Sequence, residues 1–522
     1  MSVPDFLQQL RDRAPDAPAL SSLTGLTEDF RWTYRQLLQT ALGFRGALVA
    51  GGVHRNCRVC VIAGNCPQFI ALFLACVDLG ATFVPVHHDQ AAATLAGMLR
   101  QLHPHLVIVD DDLQGKLLKT VLRESGTVWR LRLRRTPWLR PVLSGTRHDR
   151  EPEPAQDVDD ASKEQNPVLL LHSSGSTGAP KVIEYSRTRL NVFLHWQRHL
   201  FSAFPDVPGT GTPSPRVNAL PLTHFGGLSF VLQALLDGRL VFLPRALAPF
   251  DYLRLAVRER CQLLMLVPAL YDELPDTATE VFSGSSLRYC LTMGEAAPSR
   301  LLAAIRRTVG ARVYSAYGMS EGLSGLTHHG DPPPDSCGSP AFGDIRLVGI
   351  DGTDAVGDDA EGELWVRNET TFPCYRDPAL NAMKFVDGWY RTGDWFRRDA
   401  AGHHYFIGRV DAMCVINGRN VYPAEVEQVL LRHADVTDCM AAVITLDKGR
   451  KRLGVLACVR PDSSMSPASL TDWYLEHGAL HATPAWVLLG KGIPRNAAGK
   501  RDRLAVASLL QHDYQSCLKK VS

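Results

Sequence analysis

Short apolar strands alternate with helical patterns through the first half of the chain. Residues 59–63 predict a strand, 68–79 predict a helix, and 82–86 and 106–109 predict two further strands. Apolar strands separated by helices are typical of a parallel sheet with both faces covered, because each crossover places its helix on a face of the sheet. The pattern therefore predicts an α/β fold whose large N-terminal lobe is built from βαβ-type sheets.

Composition indicates a large globular protein. The 522 residues correspond to about three units of ordinary domain size, and the 45% that are hydrophobic suffice for a large core. Lys and Arg total 56 and Asp and Glu total 54, so the formal net charge is +2. That balance argues against a nucleic-acid coat protein and against a polybasic membrane binder. We expect no nucleic-acid partner.

The sequence also indicates where in the cell the protein is expected. The N-terminus has no apolar stretch behind a basic start, so no secretory signal is expected. The most membrane-like stretch is interrupted by Asp78, Gly80 and Pro85, which favours a buried helix and strand over a transmembrane segment. The C-x-x-C pair Cys57 and Cys60 lies in an apolar strand and has no second pair to complete a zinc site, so both are expected in the core. We predict a reduced, cytoplasmic protein.

Six arginines cluster between Arg123 and Arg140. Such a cluster could bind phosphate or a membrane, but a solvated strand and loop is the preferred interpretation. We assign no function to it.

In the second half of the chain the pattern of predicted strands and helices changes. Around 338–407, short alternating strands and Gly-Asp turns predict a small β-barrel part. The last ~110 residues predict a separate α+β piece. In this piece an amphipathic helix begins at Pro423, and two strands flank a basic turn at 447–452.

The most informative segment is 167–186, with the sequence PVLLLHSSGSTGAPKVIEYS. A buried strand runs into small and hydroxyl residues, and Lys181 opens the next strand. Uncovered backbone N–H groups, hydroxyls and one lysine together suit a polyphosphate. The spacing is not that of a Walker A loop, and Ser174 stands where a hydrolase nucleophile elbow requires Gly. We interpret the segment as a phosphate-binding loop rather than a flexible surface loop.

The run SSGSTGAPK resembles the phosphate loop of the adenylate-forming superfamily: acyl- and aryl-CoA synthetases, peptide-synthetase adenylation domains and luciferases. Other motifs of that family follow in its order over almost the whole chain. They are GNCPQFIALFLACVDLGATFVPV near the start, then PLTHFGG, MGEAAP, YGMSEG, YRTGD, GRVDAMCVINGRNVYPAEVE and PRNAAGK. Any one is weak alone, but together they identify the chain as a member of this family.

The resemblance implies how the chain is divided and moves. Residues 1–410 would form the AMP-binding adenylation domain, including the β-rich part. Residues 411–522 would form a small mobile domain with a hinge near Asp411. Lys500 would reach the active site for adenylation and Gly418 with its loop for thioester formation, so one rigid arrangement cannot present both.

The resemblance also implies a site for ATP and Mg²⁺. Lys500 would bridge the substrate carboxylate and the α-phosphate, Ser320 would contact the α-phosphate, and Glu321 with Thr177 would hold Mg²⁺. The nucleotide-binding residues implied are Ser173, Ser174, Gly175, Ser176, Thr177, Gly178 and Lys181 for the β- and γ-phosphates, Gly294, Glu295 and Ala296 for adenine, Asp394 for the ribose, Arg409 for the ribose or a phosphate, and also Tyr317 and Gly318.

The implied substrate pocket is formed by His224, Phe225, Gly226 and Gly227, with His224 as a pocket wall rather than a base. This run has no carboxylate to pair with an amino group, so α-amino acids are disfavoured. The implied thiol tunnel contains Asn417, Gly418 and Arg419. One departure from the family pattern is Cys374 where Gly is expected.

These features predict an ATP-dependent carboxylate–CoA ligase that forms an acyl-AMP and then a thioester, on an aryl or short-to-medium acyl acid. The first alternative is a stand-alone ligase that loads the phosphopantetheine of a carrier protein instead of CoA. The second is a non-catalytic nucleotide-binding homologue, against which the joint presence of Lys181, Glu321, Asp394 and Lys500 argues.

Overall fold

The computed structural model describes most of the chain. The described ranges are 3–87, 92–131, 139–141, 166–173, 181–206, 213–245, 247–271, 284–294, 299–329, 335–410, 414–416, 419–446, 451–478, 480–495 and 501–521, with single residues at 282, 297 and 333.

The first elements of the chain alternate as predicted. They are α1 (Phe6–Arg11), β1 (Pro18–Thr24), β2 (Thr27–Thr33), α2 (Tyr34–Ala50), β3 (Arg58–Ile62), α3 (Pro67–Leu79), β4 (Thr82–Val86), α4 (Ala92–Leu102), β5 (Leu106–Asp110), α5 (Gly115–Glu124), β6 (Val128–Leu131) and β7 (Leu139–Pro141).

The alternation continues to the middle of the chain. The elements are β8 (Pro167–Ser173), β9 (Lys181–Ser186), α6 (Arg187–Phe201), β10 (Arg216–Val217), α7 (Phe225–Leu236), β11 (Val241–Pro244), α8 (Pro249–Arg258), β12 (Leu263–Leu266), α9 (Pro268–Tyr271), β13 (Tyr289–Met293), α10 (Ser299–Val309), β14 (Arg312–Ala316), β15 (Leu326–Thr327) and β16 (Ser339–Pro340).

Most of these strands form two large sheets, and β15 and β16 pair with each other. One has the order β7-β6-β5-β3-β4-β8-β9, parallel except for its two edge strands. The other joins β2-β1-β11-β10 to β12-β13-β14 through a bridge between Asn218 and Met265. Because the sheets are mostly parallel and their crossovers are helical, the predicted βαβ architecture is confirmed.

Helices α3 and α7 pack in the core shared by both sheets. Both are apolar on nearly every side, and their residues are buried almost throughout. A helix that is hydrophobic all round belongs in the interior of a large protein. The membrane-like stretch is thus the buried α3 followed by the buried β4, as predicted. No described helix is both long and apolar enough to cross a membrane.

The C-x-x-C pair is divided between two parts of the core. Cys57 belongs to the core that contains α3, whereas Cys60 belongs to the core that contains α4, and both side chains are buried. The expectation that these are core thiols is therefore met. Of the arginine-rich stretch, residues 132–138 lie outside the described part.

An antiparallel sheet follows, made of β17 (Asp344–Val348), β18 (Ala360–Arg367), β19 (Phe385–Val386), β20 (Trp389–Arg398) and β21 (His404–Arg409), with α11 (Pro378–Lys384) preceding β19. Its order is β17-β18-β20-β19, and β21 pairs with the same β20. Backbone hydrogen bonds join His404 to Cys337 and Gly338, so the residues before β16 extend the sheet beyond β21. The predicted β-rich part therefore forms a mainly antiparallel sheet.

The last elements are β22 (Cys414–Ile416), β23 (Arg419–Val421), α12 (Pro423–Leu430), β24 (Val436–Thr445), β25 (Lys451–Val459), α13 (Pro467–His477), a 3₁₀ turn (Leu480–Ala482), β26 (Trp486–Gly490) and α14 (Arg503–Val521). The predicted helix begins at Pro423, and β24 and β25 pair antiparallel around the predicted turn. Two hydrophobic clusters in this segment contain only residues beyond 413.

Candidate active site

Strands β8 and β9 form a hairpin that positions Lys181. β8 ends at Ser173, which pairs across the hairpin with Lys181. The predicted phosphate loop, 174–180, connects the two strands and lies outside the described residues. The pairing brings the half-buried Lys181 to one end of the hairpin, where its side chain lines a polar cavity.

That cavity gathers side chains from β9, the loop after β14, α11, β20 and β21. Its empty volume is about 310 Å³. Three cationic groups, two carboxylates and three phenols are among its lining residues, a mixture that suits a polar, multiply charged ligand. The lining residues are Lys181, Tyr317, Met319, Glu321, Tyr375, Lys384, Tyr390, Thr392, Asp394 and Arg409.

Asp394 and Arg409 are held together by strand register. They are directly paired on β20 and β21, and Arg409 Nη1 donates to Asp394 Oδ1 at 2.9 Å. Tyr317 Oη donates to the second carboxylate oxygen, and Thr392 Oγ1 accepts from the Asp394 backbone N–H. Burial raises the pKa of Asp394, while Arg409 and the Tyr317 hydroxyl oppose that rise. The result is a fixed, buried carboxyl group that can accept hydrogen bonds from hydroxyl groups.

Glu321 is oriented by two tyrosines. Tyr375 Oη donates to Glu321 Oε1 at 2.6 Å, and Tyr390 Oη lies 3.1 Å from Tyr375 Oη. Burial and the neighbouring carboxylate raise the pKa of Tyr375, so its hydroxyl keeps its proton and remains a donor. In the same loop, the carbonyl of Ser320 accepts from Tyr185 Oη of β9 at 2.9 Å. The strand that positions Lys181 therefore also holds the loop of Ser320 and Glu321.

A carboxylate beside cationic side chains is compatible with Mg²⁺. Magnesium usually takes one or two protein carboxylates together with phosphate oxygens and water. Glu321 supplies such a carboxylate on the cavity wall. The described residues contain no group of three or more His, Cys, Asp or Glu side chains that would form a protein-only metal cage. The donor set therefore fits a metal ion that binds with a nucleotide.

His224 precedes α7 and faces another histidine. Its ring lies 6.0 Å from the ring of His87, at 29° between the planes. Phe225 is buried and packs against Tyr185 and Phe193, with centroid distances of 4.6 Å and 4.5 Å. Phe225 therefore anchors the start of α7 to β9, and His224 lies immediately before that anchored start.

Gly227, in the first turn of α7, packs closely against the turn that precedes the helix. A Cβ atom at Gly227 would lie 2.3 Å from the carbonyl oxygen of Pro221, closer than any real contact. The same turn is held by Asn65, whose side chain donates to the carbonyl of Leu220 at 2.9 Å and accepts from the Leu222 N–H at 2.8 Å. The position of His224 thus depends on the tight turn and on a residue about 160 positions earlier in the sequence.

The predicted pocket residue Gly226 lies against Met293. A Cβ atom at Gly226 would lie 3.3 Å from Met293 Cε, and one at the neighbouring Gly294 would lie 3.5 Å from Val267 Cγ1. Gly294 has φ +91°, a conformation that favours glycine. Segments from three different parts of the chain therefore converge beside the start of α7.

The C-terminal segment holds the loop of Lys500 at its two ends. Arg495 and Arg501 form a backbone bridge, and Asp502 N donates to Pro494 O at 2.8 Å. Residues 496–500, Lys500 among them, lie outside the described part. Arg501 and Arg503 both contact Glu427 of α12, which fixes the base of the loop.

The structure brings together five predicted residues around the cavity, and Ser320 belongs to the same loop as two of them. Gly318 is exposed on that loop, Gly294 follows Met293 at the end of β13, and Arg419 begins β23. The five cavity residues are Lys181, Tyr317, Glu321, Asp394 and Arg409. The predicted residues outside the described part are Ser174, Gly175, Ser176, Thr177, Gly178, Glu295, Ala296, Asp411, Asn417, Gly418 and Lys500.

Four residues that shape the site were not predicted from the sequence. Tyr375 and Tyr185 hold the Glu321 loop, Asn65 holds the turn before α7, and Lys384 lines the cavity. Tyr375 directly follows Cys374, the residue that departs from the family pattern. For Lys384 the one available signal was its place ten residues before Asp394.

Comparison with known proteins decides the family. The family of AMP-binding enzymes matches residues 7–376 of the chain. The chain belongs to the AMP-binding enzymes of the adenylate-forming superfamily. Its relatives include an indoleacetate–CoA ligase of Aromatoleum aromaticum, 29% identical with 90% of this chain and 91% of the relative covered. A fatty acid–[acyl-carrier-protein] ligase of Mycobacterium marinum is 28% identical, with 95% of each chain covered.

Solved structures show the same fold. ATP-bound MatB from Rhodopseudomonas palustris superposes with a TM-score of 0.82 at 19% identity, covering 98% of this chain and 100% of that one. The predictions of the superfamily, of the α/β fold and of an ATP-dependent, AMP-forming acid–thiol ligase are thereby confirmed. The roles of individual residues, Mg²⁺ and the identity of the thiol remain predictions.

Proposed function

We propose that this AMP-binding enzyme activates an aryl or short-to-medium acyl acid with ATP and transfers the acyl group to CoA. The observation that carries the proposal is the polar cavity, where Lys181, Glu321, Asp394 and Arg409 meet from separate segments of the chain. Each has the chemistry that one part of a metal-bound nucleotide requires.

In this proposal the nucleotide lies along the cavity. The Asp394 carboxyl group accepts from the ribose hydroxyls, and Arg409 fixes that carboxyl group. Lys181 and the loop from Ser173 to Gly178 hold the β- and γ-phosphates. Glu321, with Thr177, holds Mg²⁺, which would neutralise phosphate charge when bound.

The first half-reaction is an in-line displacement. A carboxylate oxygen of the acid attacks the α-phosphorus, the bond to the β-phosphate oxygen breaks, and pyrophosphate leaves. The proposed role of Lys500 is to bridge the carboxylate and the α-phosphate and to stabilise the negative charge that develops there, and that of the Ser320 hydroxyl is to contact the α-phosphate. In the second half-reaction the thiol sulfur attacks the acyl carbonyl, its proton is released, and AMP leaves.

Gly226 and its neighbours support the proposed acid. Gly226 and Gly227 have no side chains at the start of α7, where Gly226 lies against Met293, and the proposed acid pocket begins there. No acidic residue occurs in the run from 224 to 227 that would pair with an ammonium group. A carrier-protein phosphopantetheine is the second candidate acceptor, because the relative from Mycobacterium marinum is named for that acceptor.

We also propose that the chain divides at Asp411 into domains 1–410 and 411–522, and that the second domain moves between the two half-reactions. The separate hydrophobic clusters beyond residue 413 support this division. Asp411→Pro would fix φ at the hinge, and we expect it to impair thioester formation much more than adenylation. Equal losses in both half-reactions, in a folded variant, would contradict the hinge.

The decisive experiment is ATP–pyrophosphate exchange over a panel of carboxylic acids, followed by a thioester assay with CoA and with a loaded carrier protein. Lys500→Ala should lower exchange at least ~100-fold, the scale of losing one preorganised charge. Lys491→Ala, at an exposed lysine of the same segment, is the matched control and should retain exchange. Exchange within a few-fold of wild type in Lys500→Ala, or silence of wild type over the whole panel, would refute the proposal.

A further inference from the structure

Helix α11 ends in a lysine that enters the cavity. The helix starts at the cap of Asp377, whose Oδ1 accepts the Ala379 N–H at 2.9 Å, and none of its residues is buried. Short pairing of β19 with β20 fixes its C-terminal end. Lys384, the last helical residue, is half-buried, and its Nζ donates to the carbonyl of Arg391 at 3.3 Å.

Gly393 leaves room for Lys384 and a second cation. A Cβ atom at Gly393 would lie 3.0 Å from Lys384 Nζ and 3.1 Å from Arg409 Nη2, so both cationic groups flank this residue. The φ of Gly393 is +76°, which also disfavours a side chain. The glycine of the T-G-D motif therefore permits a close approach of two positive charges.

This concentration of positive charge has a cost without an anion. Lys181, Lys384 and Arg409 line the cavity together with two carboxylates, Glu321 and Asp394. Burial, then Arg409 and Lys181, lower the pKa of Lys384, while Glu363 and Glu321 oppose the lowering. Grouping like charges at a partly desolvated site destabilises the empty protein and favours a ligand that carries several negative charges.

The position of Lys384 indicates which part of the ligand it faces. In the proposed function, which this inference rests on, Asp394 and Arg409 hold the ribose and Lys181 holds the β- and γ-phosphates. The α-phosphate lies between ribose and β-phosphate in the nucleotide. Lys384 lies beside Arg409 at Gly393 and lines the same cavity as Lys181, so it shares the site with the two cationic groups assigned to the parts of the nucleotide on either side of the α-phosphate.

We propose that Lys384 is a further nucleotide-binding residue and that its ammonium group contacts the α-phosphate of ATP and of the AMP product. This contact is supplied by the segment before Asp411, whereas Lys500 belongs to the segment proposed to move. Lys384 therefore keeps one positive charge at the α-phosphate in both half-reactions.

The test compares nucleotides that differ in their phosphates. Calorimetric titration of the full chain with adenosine, AMP and ATP is performed on wild type, Lys384→Met and Lys384→Arg. Loss of one charge-assisted hydrogen bond corresponds to about ten- to hundredfold in affinity. We expect Lys384→Met to lose that factor for AMP and ATP while its affinity for adenosine stays within about twofold, and Lys384→Arg to recover most of the loss.

Lys181→Met is the matched comparison, because it removes a cation from the same cavity. It should weaken ATP but not AMP, since Lys181 is assigned to the β- and γ-phosphates. Circular dichroism and thermal denaturation establish that each variant is folded. A merely structural role for Lys384 would lower adenosine and AMP affinity equally.

The outcomes separate this inference from the proposed function. Equal losses for adenosine and AMP in Lys384→Met, unchanged AMP affinity, or a wild type that binds AMP no more tightly than adenosine would each overturn the role of Lys384. If no acid supports pyrophosphate exchange in wild type but Lys384→Met still loses AMP selectively, the ligase proposal fails and the α-phosphate contact stands.

Discussion

The anchoring of the Lys500 loop by Glu427 leads to a quantitative prediction. Glu427 is only 4% exposed, and its Oε1 accepts from Ala441 N at 2.9 Å and from Arg503 Nη1 at 2.5 Å. Arg501 Nη2 lies 3.9 Å from the other carboxylate oxygen. The change Glu427→Ala removes the common partner of two arginines and one backbone N–H.

The expected loss of stability follows from these contacts. Breaking a buried ion pair by removing one partner costs about 3–5 kcal/mol, and leaving a buried N–H unpaired costs about 1–3 kcal/mol. The arginine side chains are 16% and 32% exposed, so water recovers part of their solvation. We therefore expect the free energy of unfolding to fall by about 2–4 kcal/mol in total.

The same change should impair adenylation. Arg501 directly follows Lys500, and a displacement of ~1 Å at a reacting group lowers rates by up to ~100-fold. Urea denaturation measures the stability, and pyrophosphate exchange measures the activity. The control Glu425→Ala, at an exposed position on the same helix, should change stability by less than about 0.5 kcal/mol.

Two results would refute this reasoning. If Glu427→Ala is no less stable than the Glu425 control, the ion pair does not contribute in solution. If stability falls as expected but exchange in the folded variant is unchanged, the anchor does not position Lys500.

Three further predictions concern packing, pH and specificity. In thermal denaturation, Gly227→Ala should lower the free energy of unfolding by about 1–3 kcal/mol because the new Cβ meets a backbone carbonyl. Gly226→Ala should have a smaller effect because its Cβ meets the flexible side chain of Met293. Burial lowers the pKa of His172, His328 and His404 to about 4. Between pH 6.5 and 4 the unfolded chain therefore binds protons that the folded chain does not. As the pH is lowered through this range, urea denaturation should show the free energy of unfolding falling by about 1.4 kcal/mol per pH unit for each histidine. A free energy of unfolding that stays constant over this range would contradict the prediction. In a pyrophosphate-release assay, α-amino acids should be poorer substrates than their des-amino counterparts, and an amino acid as best substrate would disprove that view.

The βαβ alternation and the ordered motifs were readable from sequence because they are local. The helix beginning near 67 and the strand at 82–86 follow from a short apolar pattern with Pro67 at the start and Gly80 at the end, where φ is +74°. Likewise, Pro423 marks the start of α12. Such signals depend only on neighbours in the chain and agree with the global fold.

The motifs also identified most of the residues around the cavity, although not how they are held. Lys181, Glu321 and Asp394 each lie in a recognisable run. The sequence does not show that Tyr375 orients Glu321, or that Tyr185 holds the carbonyl of Ser320. These partners are 54 and 135 positions apart, and no local pattern relates them.

Tertiary structure decided the charge arrangement of the site. Strand register pairs Asp394 with Arg409, and the pairing of β19 with β20 brings Lys384 to Gly393. A shift of one residue in either register would turn these side chains to the opposite face of the sheet. Register is set by packing over the whole sheet, so the sequence by itself determined which chemical groups are available and the fold determined which of them face one another.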